Sequence, residues 1–169
     1  VQGTDAAQWT SLDGSQTRSI AAEQTVQLER RVPDMDYLTE CDNRVWGCSN
    51  KENVIYACKL GDPTNWYSYR GIASDSYAVS VGSDGAFTGA ASCLGYLLFF
   101  KENCIHRVTV SATGAHSIGE TPCRGVQKGS AESVVLVGDS LFYKSRADVC
   151  VWQGGFPESV SEALGAEQY

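Results

Sequence analysis

Short apolar runs separated by polar turns recur along the chain. Residues 44–48, RVWGC, precede a polar turn at 50–53, and residues 54–56, VIY, resume the strand pattern. Short runs rich in β-branched and aromatic residues, with turn residues between them, are typical of β-hairpins. The pattern therefore predicts a strand, a turn and a returning strand.

The same pattern returns twice, and the phrase KENVIYAC at 51–58 reappears as KENCIHRV at 101–108. Strands and turns are predicted at 96–100, 101–103 and 104–110, and then, in a more degenerate copy, at 141–143, 145–148 and 149–152. In the second turn, Asn103 suits a left-handed backbone conformation, which its short polar side chain tolerates. The turns are spaced by about 50 and then about 44 residues, which is the range of propeller blades.

Four further short segments precede these hairpins and are rich in strand-forming residues: 35–41, 76–81, 87–93 and 130–138. Because a hairpin cannot cover its own apolar faces, stacked neighbours must bury them. We therefore predict an all-β fold over 31–169, a propeller-like stack of antiparallel blades with about three hairpin repeats. Closed propellers have about four to eight blades, so we expect an incomplete propeller or a fragment of one. Residues 1–30 are polar and are predicted to form an arm or an edge strand.

The composition is that of an ordinary globular domain, with 43% hydrophobic and 20% charged residues in a chain of 169. The net charge of −7 disfavours nucleic acid and anionic membranes as partners, because both bind basic surfaces. The longest apolar run, at 97–100, is far shorter than the roughly 18 residues of a membrane span. The chain begins at Val1 without a signal-peptide pattern, so we expect a fragment or a trimmed product.

Seven cysteines, an odd number, cannot all pair within the chain. They are Cys41, Cys48, Cys58, Cys93, Cys104, Cys123 and Cys150. None belongs to a C-x-x-C pair, and several lie in apolar segments that are predicted to be strands. We therefore predict that most are reduced, buried small hydrophobic residues, which fits assembly in a reducing cytoplasm.

The patterns for metal binding and nucleophilic catalysis are weak. The two histidines, His106 and His116, belong to no H-x-x-x-H or C-x-x-C arrangement of the kind that binds zinc. Cys104 and His106 are two residues apart in a predicted strand, so their side chains can share a face. No third group is evident to orient the histidine. The simpler interpretation is a buried cysteine beside an edge histidine.

The aspartates offer two further possibilities. Asp62, Asp75 and Asp84 lie in turn-like text, where calcium can bind, but their spacing is not that of an EF-hand. A glycosidase needs two carboxyl groups about 5 to 10 Å apart. The candidates for such a pair are Asp34, Asp36, Asp75 and Asp84. We interpret these aspartates as turn residues and predict no catalytic, cofactor or metal site.

Large aromatic residues in the predicted strands and turns are the side chains to which we assign a role. Aromatic rings offer large, flat apolar area, so we predict that they pack within and between the repeated units. The residues are Trp46, Tyr56, Trp66, Phe99, Phe100, Phe142, Tyr143 and Trp152. An exposed platform for sugar rings is the alternative for the tryptophans.

One family resemblance rests on the order of several short motifs. They are Trp46-Gly47, Ile55-Tyr56, Leu60-Gly61-Asp62-Pro63 and Asn65-Trp66. This phrase resembles structural proteins of the tail and neck modules of tailed bacteriophages and prophages. The stretches GYLLFFKENCIHRV and GDSLFYKSRADVCVWQGGFPESVS resemble later blades of the same proteins. The resemblance spans 32–165 and is most specific in LGDP-x-NW, whereas Ala147-Asp148 stands where those proteins usually carry a turn glycine.

The resemblance implies a propeller-like virion component and no catalytic residues. We therefore expect a non-enzymatic structural protein of a phage or prophage tail or neck, assembled in the host cytoplasm. Its expected partners are other virion proteins and further copies of itself, without nucleic acid, membrane or cofactor. A carbohydrate-binding or glycoside-hydrolase propeller module is the alternative, and a bacterial scaffold recruited from a prophage is a third possibility.

Overall fold

The computed structural model describes residues 7–10, 17–20 and 31–162, and the chain divides into two compact units, Val1–Arg30 and Arg31–Tyr169. In the first unit, strand β1 (Ala7–Thr10) pairs antiparallel with strand β2 (Thr17–Ile20). The prediction of an arm or edge strand at 1–30 falls in this unit, most of which lies outside the described residues, and it stays a prediction.

The described part of the second unit contains three four-stranded antiparallel sheets, each formed by four strands consecutive in the chain. The first sheet contains β3 (Tyr37–Cys41), β4 (Arg44–Ser49), β5 (Val54–Ala57) and β6 (Tyr77–Ser80). The second contains β7 (Phe87–Cys93), β8 (Tyr96–Lys101), β9 (Cys104–Val110) and β10 (His116–Pro122). The third contains β11 (Val135–Val137), β12 (Ser140–Lys144), β13 (Val149–Trp152) and β14 (Glu158–Ser159). The all-β prediction is confirmed.

The three predicted hairpins are the central strand pairs of the three sheets: β4 with β5, β8 with β9, and β12 with β13. Two edge strands, β10 and β14, have no counterpart in the sequence predictions. The segment predicted as a strand at 130–138 begins instead with a short 3-10 helix, Ala131–Ser133, and becomes a strand only at Val135. No helix in the described residues is long and apolar enough to cross a membrane.

The turns use residues that tolerate a left-handed backbone. Asp42 and Asn43, with φ values of 51° and 59°, connect β3 to β4, and Asn53, with φ of 55°, ends the turn between β4 and β5. The corresponding prediction for Asn103 is wrong, since its φ is not in the positive region. The two copies of the KEN phrase therefore differ in backbone conformation at their third residue.

The core consists of two apolar layers on opposite sides of the second sheet. Because side chains alternate along a strand, β8 sends Leu97 and Phe99 towards the first sheet and Leu98 and Phe100 towards the third. All four side chains are at most 2% exposed. A strand buried on both faces has a continuous apolar sequence, which accounts for LLFF at 97–100.

A long connection between β5 and β6, at 58–76, is fastened to the first sheet by a buried arginine. Arg44 is 6% exposed, and its guanidinium donates hydrogen bonds to the backbone carbonyls of Cys58, Ala73 and Asp75. Burial lowers the pKa of Arg44. The loop thereby satisfies a buried cation with backbone oxygens, so Arg44 has a structural role.

Candidate functional site: the faces of the sheets

Aromatic rings fill the layer between the first and second sheets. Trp46 from β4 is 1% exposed and lies 5.9 Å from the ring of Tyr77 and 5.3 Å from that of His116, measured between ring centroids. Phe87 and Phe99 meet edge to face at 6.4 Å. Such pairs contribute roughly 0.5 to 1.5 kcal/mol beyond the burial of their area, so they hold the two sheets together.

The layer between the second and third sheets is built in the same way. The rings of Phe100 and Tyr143 lie 5.2 Å apart, and those of Tyr96 and Trp152 meet edge to face at 6.2 Å. Tyr143 is 1% exposed, and its hydroxyl donates a hydrogen bond of 2.6 Å to the carbonyl of Arg124. A buried ring with a satisfied hydroxyl therefore anchors the third sheet to the second.

The eight aromatic residues predicted to pack lie in three kinds of place. Trp46, Phe99, Phe100, Tyr143 and Trp152 are buried in the two layers, Trp66 is buried in the 58–76 loop, and Tyr56 and Phe142 are half-buried on faces that point away from the second sheet. Trp46, Trp66 and Trp152 are each at most 5% exposed, so they offer no platform for a sugar ring.

The repeated KEN phrase provides a polar connection between the first two sheets. Lys101, the lysine of the second copy, is 1% exposed, and its Nζ donates hydrogen bonds to Asn53 Oδ1 at 2.7 Å and to the carbonyl of Ser83 at 2.8 Å. Asn53, the asparagine of the first copy, donates from Nδ2 to the carbonyls of Val81 and Ser83. Burial lowers the pKa of Lys101, and these oxygens compensate for the buried ammonium.

A second polar connection lies at the turn of the third hairpin. Asp148 is 3% exposed, forms an ion pair with Arg124 and accepts a hydrogen bond from the hydroxyl of Ser145. Burial by itself raises the pKa of Asp148, but these contacts and a hydrogen bond from the thiol of Cys150 lower it to about 2. The buried carboxylate therefore fixes this turn without glycine.

The structure completes the pair of Cys104 and His106 with two further groups, but it buries them. His106 Nε2 lies 2.7 Å from Ser83 Oγ and 3.7 Å from Cys104 Sγ, and its Nδ1 lies 4.0 Å from a carboxylate oxygen of Glu120. His106 is 1% exposed and lies on an interior strand, so the expected edge position is wrong. Burial lowers the pKa of His106, which favours the neutral imidazole, and Nδ1 makes no hydrogen bond.

Asp75, a candidate for calcium binding and for glycosidase catalysis, holds the backbone of the 58–76 loop in place. The carboxylate of Asp75 accepts hydrogen bonds from the N–H groups of Arg70, Gly71 and Ile72 and from the hydroxyl of Ser68. Burial raises the pKa of Asp75, but these donors outweigh it and lower the pKa overall. Donors already surround this carboxylate, and the described residues contain no group of three or more acidic, histidine or cysteine ligands for a metal ion.

A cleft of about 440 Å³ opens where the 58–76 loop meets the first two sheets. Its walls are mainly apolar, with Trp46, Leu60, Ile72 and Leu97 among the residues that line it. A sugar-binding cleft needs several convergent polar groups to bind hydroxyls. The guanidinium of Arg44, also at this cleft, is engaged with backbone carbonyls.

The third sheet presents a mixed face away from the stack, which we call the outer face of the third sheet; it carries several apolar residues beside Lys144 and Glu158. Val135, Phe142 and Val151 are neighbours across β11, β12 and β13, and Val135 is 51% exposed. Val137 and Val160 extend this face and are 59% and 39% exposed. The exposed valines lie at the two edges of this face, and Val151 between them is 8% exposed.

The first sheet presents a corresponding face at the other end of the stack, the outer face of the first sheet. Leu38, Gly47, Tyr56 and Ala78 are neighbours across β3, β4, β5 and β6. Leu38 is 59% exposed, and its side chain and that of Met35 lie over Gly47, where a Cβ atom would be within 2.7 Å of both. In the described part of the second unit, each end of the stack thus carries exposed apolar side chains on a mixed face.

All seven cysteines are free, and six of them are buried, with Cys123 half-buried. The prediction that most are reduced and buried is confirmed. Burial raises the pKa of Cys48 to about 12 and that of Cys123 to about 11, which keeps both as thiols at neutral pH.

The chain matches no protein-family profile. No curated protein matches its sequence.

Proposed function

We propose that this protein is a non-enzymatic structural component of a phage or prophage particle, in its tail or neck. In this proposal the three sheets are consecutive blades of a β-propeller that the described residues leave incomplete. The protein acts by assembly, because its rigid sheets present apolar faces to partners. The basis for the virion assignment is the resemblance in residues 32–165.

The observation that carries the assembly role is the regular order of the stack. Each sheet is formed by four consecutive antiparallel strands, and the second sheet buries one face against each neighbour. Stacked units of this kind bury a continuous core but leave a face open at each end. Such open faces suit a protein that functions as one part of a larger assembly.

The polar groups that a catalytic function would use are engaged in holding the fold together. Lys101, His106 and Asp148 are each at most 3% exposed, and Arg44 and Asp75 bind backbone groups of one loop. The expected partners are therefore other virion proteins and copies of the same chain. The net charge of −7 argues against nucleic acid and anionic membranes as partners.

Mass spectrometry of purified particles tests this proposal. Particles of a phage or induced prophage that encodes this chain are banded on a density gradient and treated with protease and nuclease. We expect peptides from 32–165 to copurify with the particles at a fixed copy number relative to the portal protein. Their presence only in the soluble lysate would overturn the proposal.

A further inference from the structure

The two faces of each sheet can be told apart by the residues that the repeated KEN phrase places on them. In KENVIYAC and KENCIHRV, Ile55 and Ile105 occupy the same position, and they face the following sheet: Ile55 faces the second and Ile105 the third. The next residues, Tyr56 and His106, face the opposite way, because side chains alternate along a strand. Each sheet therefore has a forward face, on the isoleucine side, and a backward face.

The backward face of the second sheet packs against the preceding sheet. His106 pairs with Phe99, and both lie in the layer that the first sheet covers. The outer face of the first sheet, which carries Tyr56, is the equivalent backward face without a preceding sheet. The outer face of the third sheet, with Val135 and Val137, is the forward face without a following one. Among the three sheets of residues 31–162, one face of each kind therefore has no other sheet against it.

We infer that the outer face of the third sheet binds the outer face of the first sheet in a second copy of this chain, so that two copies close a ring of six sheets. The inference rests on the proposed assembly function. Forward and backward faces pair twice within the chain, so a third pairing continues an established contact. Six sheets lie within the range of about four to eight blades in closed propellers. A closed ring leaves no face free for open-ended growth.

Sedimentation equilibrium of the purified full chain tests this inference with single charged substitutions. Val137→Glu places a carboxylate on the outer face of the third sheet, and Leu38→Glu places one on the outer face of the first. We expect the unsubstituted chain to have twice the mass of one copy. Each variant should raise the dissociation constant at least about tenfold, because the contact would bury an unpaired charge. Val110→Glu is the matched control, since Val110 is 47% exposed on β9 and belongs to neither outer face.

Mixing the two variants reveals the pairing of unlike faces. A copy with Leu38→Glu keeps its outer face on the third sheet, and a copy with Val137→Glu keeps its outer face on the first. We expect each variant alone to be monomeric and the mixture to form one-to-one dimers, with circular dichroism confirming that each variant is folded. A monomeric unsubstituted chain, an open-ended polymer, or loss of association in Val137→Glu but not in Leu38→Glu would overturn the inference.

The test of the two-copy ring and the test of the virion role can fail independently. A chain that copurifies with particles but is monomeric in solution refutes the two-copy ring alone. A dimeric chain that never enters particles refutes the virion role alone.

Discussion

Replacing Asn53 by glycine tests the polar connection between the first two sheets. Glycine keeps the left-handed backbone at this position and removes only the side chain. Two hydrogen bonds from Nδ2 are lost, to the carbonyls of Val81 at 2.8 Å and Ser83 at 3.2 Å. The bond of 2.7 Å from Lys101 Nζ is lost as well, which leaves a lysine that is 1% exposed with the Ser83 carbonyl alone.

The magnitude follows from the kinds of bond involved. Each of the two neutral hydrogen bonds contributes about 1 kcal/mol, and the bond to the ammonium about 1.5 to 3 kcal/mol. We therefore expect the free energy of unfolding to fall by about 3.5 to 5 kcal/mol, in line with the cost of removing one partner from a buried charge. For a domain of this size the melting temperature should fall by roughly 6 to 20 °C.

Urea unfolding followed by tryptophan fluorescence measures the effect, and Asn103→Gly is the control. Asn103 is the same residue of the same phrase in the second hairpin, but it is exposed and its φ is not positive. Its replacement should therefore cost only the backbone entropy of a glycine, about 0.4 to 1 kcal/mol. Lys101→Met in the Asn53→Gly background should recover part of the loss, because it removes the unpaired ammonium. Equal stabilities for the two glycine variants would refute the reasoning.

Three further predictions concern groups that the fold buries. Burial lowers the pKa of His106 below 6.5, so the free energy of unfolding should fall as the pH drops through 6.5. In urea titrations between pH 7.5 and 5.5, His106→Gln should make the free energy of unfolding depend less steeply on pH. The same dependence on pH in both proteins would contradict this. A Cβ on Gly125 would lie 1.8 Å from a backbone oxygen of the second sheet, so Gly125→Ala should cost about 2 kcal/mol or more and Gly119→Ala, in open space, far less; equal melting temperatures would count against the packing. Because the thiols are buried, a chromogenic disulfide reagent at pH 8 should label at most Cys123 slowly in the folded chain and all seven after denaturation; rapid labelling of several would be incompatible with this fold.

The central hairpins could be predicted because their sequence is locally self-consistent. A polar turn between apolar runs specifies strand reversal wherever it occurs, and LLFF in β8 marks a strand buried on both faces. The edge strands carry no such signal. Strand β10 pairs on one side only, and its text HSIGETP contains glycine and proline, while β14 has two residues. Their conformation depends on the neighbouring strand more than on their own residues.

The candidate assembly surfaces could be predicted only in part. The sequence predicts that Tyr56 and Phe142 are packing residues, but the side of the sheet that each one covers depends on which sheet lies next to it. The contact between Asn53 and Lys101 joins residues 48 apart, and strand periodicity says nothing about such pairs. The repeated phrase was the available signal, because equivalent positions in stacked units face equivalent neighbours.

The proposed virion role is tested most directly by electron microscopy of particles from a phage or induced prophage that encodes this chain, after deletion of its gene. A structural protein of the tail or neck is required for complete particles. We predict filled or empty heads that lack a finished neck or tail, with normal particles restored by the unsubstituted gene. Complete, infective particles from the deletion strain would contradict the account.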